Sequence, residues 1–237
     1  MLSLAAAVAA APFGPASAER QPQVAGNAPL VAEQPKQALH PHAAREQGRR
    51  GIEFLGLGRL DEAERALRKA LEIDPNDDVA IANLGVVLYR QGDYRGAADS
   101  FSRVLRDPQR VTKRHLLALM MRGFANARLN RLSQSLADFE TAITIAPLNP
   151  NGFAGRAMVR LELADHKAAL ADATVALALG LQDPKVYAIK GKALTALGNE
   201  EEGRRFLAIS ANLMERYSSQ GGAPAANTGS KSMMLNF

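Results

Sequence analysis

The sequence predicts an all-α solenoid of about five helix-turn-helix repeats. Residues 44–76 contain two short amphipathic segments on either side of Gly58, the first over residues 44–57 and the second over residues 60–73. Gly58 suits the left-handed residue that ends a helix, and Asp74-Pro75-Asn76 ends the second segment. Neither segment is long enough to be a stable helix alone, and each has an apolar stripe that must pack against a neighbour.

The chain repeats this unit at a nearly constant spacing. A row of small residues in the first helices recurs in steps of 34, 38, 34 and 34, and two rows in the second helices keep these steps. Small side chains in fixed register let two antiparallel helices cross closely. The first row is Gly51, Gly85, Gly123, Ala157 and Gly191; the second is Ala63, Ala97, Ser135, Ala169 and Gly203; the third is Ala70, Val104, Ala142, Ala176 and Ser210. A row of mostly larger residues lies between the second and third: Leu67, Phe101, Phe139, Ala173 and Leu207.

This pattern resembles the tetratricopeptide repeat over residues 44–217. The resemblance implies a right-handed superhelix that serves as a protein-binding scaffold, with a concave wall formed by the first helix of each repeat. The repeats are expected at residues 44–77, 78–111, 116–149, 150–183 and 184–217. The residues of the first unit that match the 34-residue motif are Gly51, Phe54, Gly58, Ala63, Leu67, Ala70 and Pro75.

The two ends of the chain lack this periodicity. Residues 2–11 are an apolar run of the length of a signal-peptide core, and Ala16-Ser17-Ala18 has the form of a cleavage site, although no Lys or Arg precedes the run. We therefore expect a signal peptide over residues 1–18, a linker over residues 19–43 and a disordered tail over residues 218–237. A bacterial protein exported to the periplasm is expected; a cytoplasmic protein with an alanine-rich N-terminal segment is the alternative.

Composition and spacing give no sign of an enzyme. The chain has no Cys, which excludes thiol nucleophiles and Cys-based metal sites, and its four histidines show no metal-ligand spacing on one helix face. Gly56-Leu57-Gly58 is not a phosphate-binding loop, because no predicted strand precedes it and Asp61 takes the place of the third glycine. We predict no catalytic residue, no metal and no cofactor.

The formal net charge of +5 is unevenly spread. The excess gathers in the connector over residues 103–115, between the second and third repeats. No nucleic-acid-binding motif accompanies it, so we expect no nucleic-acid partner, and the apolar run at residues 2–11 is too short to span a membrane. The connector either binds acidic surfaces weakly or is a solvated helix end, where cations are stabilising. Its basic residues are Arg103, Arg106, Arg110, Lys113 and Arg114.

Two pairs of opposite charges recur with one spacing. Arg122 and Asp138 are 16 residues apart, as are Arg156 and Asp172, and each Arg precedes the small residue at the helix crossing. We expect each pair to link the two helices of one repeat as a structural ion pair. In the fifth repeat Phe206 takes the acidic position, so no pair is expected there.

The concave wall is the expected binding surface. Its positions recur at i, i+3, i+4 and i+7 on the first helices, with apolar residues in the middle and basic residues at the edge. Such a wall suits an amphipathic helix or an apolar peptide, although its Met residues could instead pack between repeats. A carboxylate clamp of the kind found in some relatives is not expected, because only Asn83 matches it. The predicted groove residues are Val79, Asn83, Val86, Tyr89, Arg90, Met120, Met121, Phe124, Arg128, Met158, Lys185, Ile189 and Lys192.

The predicted function is therefore a non-enzymatic scaffold that holds a peptide or helix of a partner protein, by analogy in cell-envelope or surface-structure assembly. The alternative is a regulatory subunit of a separate enzyme complex. Phe124 is expected to project into the groove as an aromatic anchor, so that its truncation weakens binding and barely changes stability.

Overall fold

Ten α-helices lie in the described part of the chain. The structure is a computed structural model and describes residues 41–107 and 111–219. The predicted signal peptide, almost all of the predicted linker and the chain beyond residue 219 lie outside these ranges. The helices are α1 (Pro41–Gly56), α2 (Leu60–Ile73), α3 (Asp78–Gln91), α4 (Tyr94–Val104), α5 (Leu116–Arg128), α6 (Leu132–Ile145), α7 (Pro150–Glu162), α8 (His166–Ala178), α9 (Pro184–Ala196) and α10 (Glu200–Ser219).

The helices form five consecutive pairs that stack into a solenoid. Within each pair the two helices pack along one another, and the second helix of each pair also packs on the first helix of the next pair. First helices of neighbouring pairs contact each other as well: α1 with α3, α3 with α5, α5 with α7 and α7 with α9. These odd-numbered helices therefore form one wall of the stack, as the sequence predicts.

One residue in the left-handed region ends the first helix of every pair. The sequence identifies this role for Gly58, and the structure shows it at the same repeat position in all five pairs. A non-glycine residue in this conformation costs about 1–2 kcal/mol, and Asn adapts to it better than Ala. Ala164 is therefore the strained member of the row. The five residues and their φ angles are Gly58 (73°), Gly92 (87°), Asn130 (57°), Ala164 (57°) and Gly198 (89°).

The predicted rows of small residues lie where paired helices cross. In four repeats a glycine faces a large side chain, and in the fourth repeat Ala157 and Ala173, both fully buried, take these two places. In the fourth repeat two alanines therefore fill the space that a glycine and a large side chain fill in the other repeats, and the two helices still pack closely. An added Cβ would lie 2.6 Å from Leu67 at Gly51, 2.9 Å from Phe101 at Gly85, 3.0 Å from Phe139 at Gly123 and 2.8 Å from Leu207 at Gly191.

The predicted ion pair of the third repeat is confirmed, and it has a third member. Arg122 Nη2 donates to Asp138 Oδ1 at 2.6 Å, and Arg122 Nε donates to the same carboxylate. Asn126, which the sequence prediction did not include, donates its Nδ2 to Asp138 Oδ2 at 3.2 Å. Burial raises the pKa of the Asp138 carboxyl, and the hydrogen bonds from Arg122 and Asn126 oppose that rise. This buried cluster joins α5 to α6.

The fourth repeat carries the equivalent cluster. Arg156 Nη2 donates to Asp172 Oδ1 and Arg160 Nη1 donates to Asp172 Oδ2, both at 2.8 Å. The predicted pair is again confirmed, and Arg160 is again an addition. In the fifth repeat Lys190 Nζ lies 4.3 Å from the centre of the Phe206 ring, so a cation–π contact replaces the ion pair.

Candidate partner-binding groove

A partly enclosed cavity of about 200 Å³ lies among the first helices of the second to fifth repeats. We call it the central cavity. Tyr89 of α3 contributes to it, as do three residues from each of α5, α7 and α9. These nine are Phe124, Ala127 and Arg128; Ala154, Met158 and Glu162; and Lys185, Val186 and Ile189.

The placement of the central cavity follows from the stacking of repeats. Tyr89 and Arg128 lie in the last turns of α3 and α5, whereas Lys185 lies in the first turn of α9. The rotation between successive repeats brings these opposite helix ends together on the concave wall. Asp183 fixes the start of α9, because its side chain accepts a hydrogen bond from the Lys185 backbone N–H at 2.8 Å.

The floor of the central cavity is apolar and held in place by packing. Phe124 is 3% exposed, and its ring meets the Phe139 ring edge to face, with centroids 4.9 Å apart. Tyr89 meets Tyr94 in the same way at 5.1 Å, and Val186 is buried. Burial raises the pKa of the Tyr89 hydroxyl to about 12. The floor is therefore a preformed surface.

Charged groups stand at the rim. The Arg128 guanidinium lies 4.9 Å from the centre of the Tyr94 ring, and its Nη2 donates to Tyr94 Oη at 3.0 Å. Burial lowers the pKa of the Lys185 ammonium; the charge of Asp183 opposes this shift and the charge of Arg128 adds to it. Glu162 is the acidic residue in the lining. Two cations and one carboxylate thus border an apolar floor.

Six of the thirteen predicted groove residues line the central cavity. Three of the other four lining residues, Ala127, Ala154 and Glu162, occupy wall positions of the same periodicity. Val186 does not, and only the three-dimensional arrangement of α9 reveals it. The six predicted residues that converge are Tyr89, Phe124, Arg128, Met158, Lys185 and Ile189.

Five predicted groove residues are exposed or half-buried on α3 and α9, outside the central cavity. Val79 is 61% exposed, and Asn83 donates its Nδ2 to the Val79 carbonyl oxygen within α3. Val86 is half-buried, and the exposed Arg90 approaches the Leu55 carbonyl oxygen with its Nη1 at 3.5 Å. Lys192 is exposed on α9. None of these five lines the central cavity.

Two predicted groove residues belong to the core. Met120 is 1% exposed and Met121 is 5% exposed, because α5 is surrounded by α3, α4, α6 and α7. The expectation that these methionines form the groove surface is therefore corrected. Phe124 also differs from expectation: it reaches the cavity, but its burial against Phe139 means that truncating it removes core packing as well.

Two arginines of the basic connector bind the protein itself. Arg103 Nη2 donates to the Pro75 carbonyl oxygen at 2.8 Å, and Arg106 Nη1 pairs with Asp78 Oδ1 at 2.7 Å. Residues 108–110 and the side chain of Arg114 lie outside what the structure describes. These contacts give Arg103 and Arg106 a structural role at the junction of the first and second repeats.

Within residues 41–107 and 111–219, no group of three or more His, Asp or Glu side chains is placed to hold a metal ion. The helices of the same ranges include none with the length and apolar character that crossing a membrane requires.

Comparison with known proteins agrees with this architecture. The family model described as tetratricopeptide repeat matches residues 54–119. From the third repeat to the fifth, the helix pairs continue with the same row of small residues at the crossings and the same row of left-handed residues. Residues 54–119 therefore match tetratricopeptide repeats (TPRs), and the ten described helices form a TPR-type solenoid. TPR proteins are generally non-enzymatic scaffolds, and the concave faces of such solenoids are extended binding surfaces.

The individual relatives match parts of this protein. The mouse "FK506-binding protein-like" is 34% identical over 115 residues, which is 45% of this chain and 32% of the mouse protein. Anaphase-promoting complex subunit 3 of Schizosaccharomyces pombe is 29% identical over 101 residues, which is 43% of this chain and 15% of that protein. This chain therefore spans less than a third of the length of these curated relatives. The structure of MamA from Desulfovibrio magneticus has a TM-score of 0.64 at 18% identity, covering 74% of this chain and 97% of MamA, and shares the fold.

Proposed function

We propose that this protein is a non-enzymatic scaffold that holds a peptide or an amphipathic helix of a partner protein against its concave wall, with the central cavity as the anchor site. The observation that carries the proposal is the convergence of Tyr89, Phe124, Met158 and Ile189 from four successive first helices on one cavity. Because the side chains of the cavity floor are already packed, binding does not carry the entropic cost of ordering them.

A cavity-filling substitution tests the proposal. Ala154→Leu places a larger side chain at a residue that lines the central cavity, whereas Ala188 occupies the same repeat position 34 residues later and does not line it. Ala188→Leu is therefore the matched control. Wild-type and variant proteins would be used to capture partners from the native host, followed by mass spectrometry. We expect the partner to be lost with Ala154→Leu and kept with Ala188→Leu; equal capture by both variants would place the binding site elsewhere.

A second candidate function is a regulatory subunit of a larger complex whose activity lies in another chain. The similarity to a subunit of the anaphase-promoting complex favours this candidate. A stoichiometric enzyme that copurifies equally well with wild-type and Ala154→Leu protein would support it over the cavity-based proposal.

We also propose that the protein is exported and serves the assembly of the cell envelope or of a surface structure. The apolar run at residues 2–11 and the small-residue site Ala16-Ser17-Ala18 support export. The role in assembly is proposed by analogy with other exported repeat proteins. Fractionation of the native host into periplasm and cytoplasm tests the location.

A further inference from the structure

The last described helix, α10, carries a stripe of residues beside the face that packs on α9. The packed face contains Gly203, Ser210 and Tyr217; the Ser210 hydroxyl donates to the Pro184 carbonyl oxygen at 2.7 Å, and the Tyr217 hydroxyl donates to the Gln182 carbonyl oxygen at 3.2 Å. About a quarter turn around the helix, five residues recur in alternating steps of four and three. We call this stripe the α10 seam: Glu202, Phe206, Ile209, Leu213 and Arg216.

The middle of the α10 seam is apolar and partly open to solvent. Ile209 is 41% exposed, and Phe206 and Leu213 are half-buried. The Phe206 ring stacks on the Tyr187 ring with centroids 6.3 Å apart, and Lys190 Nζ approaches it from the same helix, so α9 holds this side chain in place. Apolar residues that recur every 3.5 residues on average are suited to packing along a second helix.

The apolar character of the α10 seam is a feature of the fifth repeat. Phe206 occupies the repeat position of Asp138 and Asp172, which are buried in ion pairs with arginines of their own repeats. A carboxylate at this position serves the joining of two helices within one chain. Phe206 makes no such pair, and its ring extends the apolar surface of Ile209 and Leu213 towards the start of α10.

The two ends of the α10 seam carry opposite charges. The two glutamates before Glu202 pair with Arg204 and Arg205 on α10, whereas Glu202 and Arg216 form no ion pair within the described residues. Glu202 and Arg216 are 14 residues apart, or about 21 Å along a helix, so they do not meet in one chain.

The pattern of the α10 seam is complementary to itself in one direction. If a second α10 runs antiparallel across a two-fold axis at Ile209, each Ile209 meets its own copy and each Phe206 lies beside Leu213 of the other helix. Each Glu202 then lies beside Arg216 of the other helix, at both ends of the pair. A parallel arrangement would instead bring like charges together at both ends, which is unfavourable.

The end of the described stack is poorly suited to the alternative of head-to-tail association. Leu177 and Leu181 pack against the core cluster that includes Val186 of α9. The residues 34 positions later, on the corresponding face of α10, are Ala211 and Glu215, and both are exposed. This face therefore offers little apolar surface, and the α10 seam on another side of the helix favours a closed two-fold pair.

We propose that two copies of this chain associate through the α10 seam, with their α10 helices antiparallel about a two-fold axis at Ile209. This inference goes beyond the proposed function and does not depend on it, because the residues that line the central cavity belong to α3, α5, α7 and α9. The seam is short, so the dimer is weak and forms in a concentration-dependent manner.

Sedimentation equilibrium of the full-length protein tests the association. At low salt and from about 1 to 300 μM, a range that brackets the affinity of a small interface, the mean mass should rise from that of one chain towards that of two. Ile209→Glu places two carboxylates against each other at the two-fold axis and should weaken the dimer at least about a hundredfold. Met214→Glu is the matched control, since Met214 is 49% exposed on the same helix but lies about 140° away from Ile209 around it.

An exchange of charges tests the antiparallel direction. Glu202→Arg and Arg216→Glu should each weaken the dimer about tenfold at low salt, because each creates like-charge contacts at both ends of the pair. The double variant restores opposite charges and should recover most of the affinity. Circular dichroism spectra check that all variants remain folded.

Cross-linking gives a second measure of which residues meet. The chain has no Cys, so Ile209→Cys protein has a single thiol and should form a disulfide-linked dimer on mild oxidation, faster than Met214→Cys protein. A mass of one chain at every concentration would overturn the proposal, as would equal dimer affinity in wild-type and Ile209→Glu protein. A double charge variant as weak as the single variants would overturn the antiparallel arrangement.

Discussion

Removal of the Asp138 carboxylate gives the sharpest test of how α5 and α6 are joined. In Asp138→Ala protein, Arg122 loses a carboxylate that accepts from its Nε and Nη2, and Asn126 loses the acceptor of its Nδ2. Arg122 is 25% exposed and retains access to water, whereas Asn126 is buried. Breaking a fully buried ion pair costs about 3–5 kcal/mol, and stranding a buried polar group costs about 1–3 kcal/mol. With partial solvation of Arg122, we expect a loss of about 2–4 kcal/mol in the free energy of unfolding.

A double-mutant cycle isolates the pairwise contribution. Arg122→Leu copies Leu84, the residue at the same position of the second repeat. In the double variant no cation is left without its partner, so the combined loss should be smaller than the sum of the single losses by about 1–3 kcal/mol. Urea denaturation at 25 °C, followed by far-ultraviolet circular dichroism, gives each free energy, and equal m-values would show that the unfolding unit is unchanged.

An exposed ion pair provides the control for this cycle. Arg205 and Glu201 pair on the surface of α10, where both side chains are largely exposed. Glu201→Ala should therefore change stability far less than Asp138→Ala. Strictly additive losses for Asp138→Ala and Arg122→Leu, or a loss for Asp138→Ala no larger than that of the control, would refute the reasoning.

Three further predictions concern single positions. Ala164→Gly should raise the free energy of unfolding by about 1 kcal/mol, because it relieves a left-handed φ of 57°, while Ala157→Gly in a helix interior should lower it; urea denaturation decides both. Burial raises the pKa of Tyr89 to about 12, so the unfolded chain loses this proton at lower pH than the folded chain. Stability should therefore fall between pH 10 and 12 by up to about 1.4 kcal/mol per pH unit more in wild type than in Tyr89→Phe, and parallel curves would contradict this. N-terminal sequencing of protein from the native host should find Glu19 as the first residue, whereas an intact Met1 would end the export proposal.

The repeat register was readable from the sequence because it depends on residue size at fixed spacing. A small residue is needed where two paired helices cross closely, as the glycines that face Leu67 and Phe101 illustrate, so the row of small residues marks the crossings directly. The left-handed row was only partly readable. Gly58 has the residue type that the left-handed conformation favours, whereas Ala164, with a φ of 57°, does not.

The buried charge clusters were predicted as pairs and observed as triads. The 16-residue spacing links helices within one repeat and identifies Arg122 with Asp138. Asn126 and Arg160 are 34 residues apart and lie one helical turn after the two arginines, so a signal for them was present in the sequence. The signal was hard to recognise because the two side chains differ: Asn126 uses an amide and Arg160 a guanidinium to donate to the equivalent Asp carboxylate.

The groove was predicted less completely, since helical periodicity gives the direction of a side chain but not what covers it. Met120 and Phe124 have neighbouring wall positions on α5, yet the first is enclosed by adjacent helices and the second reaches the cavity. Which wall positions meet depends on the rotation between repeats. That rotation brings the end of α5 to the start of α9, and Val186 enters the lining for this reason alone.

Nuclear Overhauser effects between a captured partner and the methyl groups of the scaffold test the central cavity most directly. Met158 and Ile189 line the cavity, whereas Met214 and Ile209 are exposed on α10 and serve as internal controls of the same residue types. We expect intermolecular effects from the partner to Met158 and Ile189 and none to Met214 or Ile209. Effects confined to Met214 and Ile209 would contradict the assignment of the central cavity as the binding site.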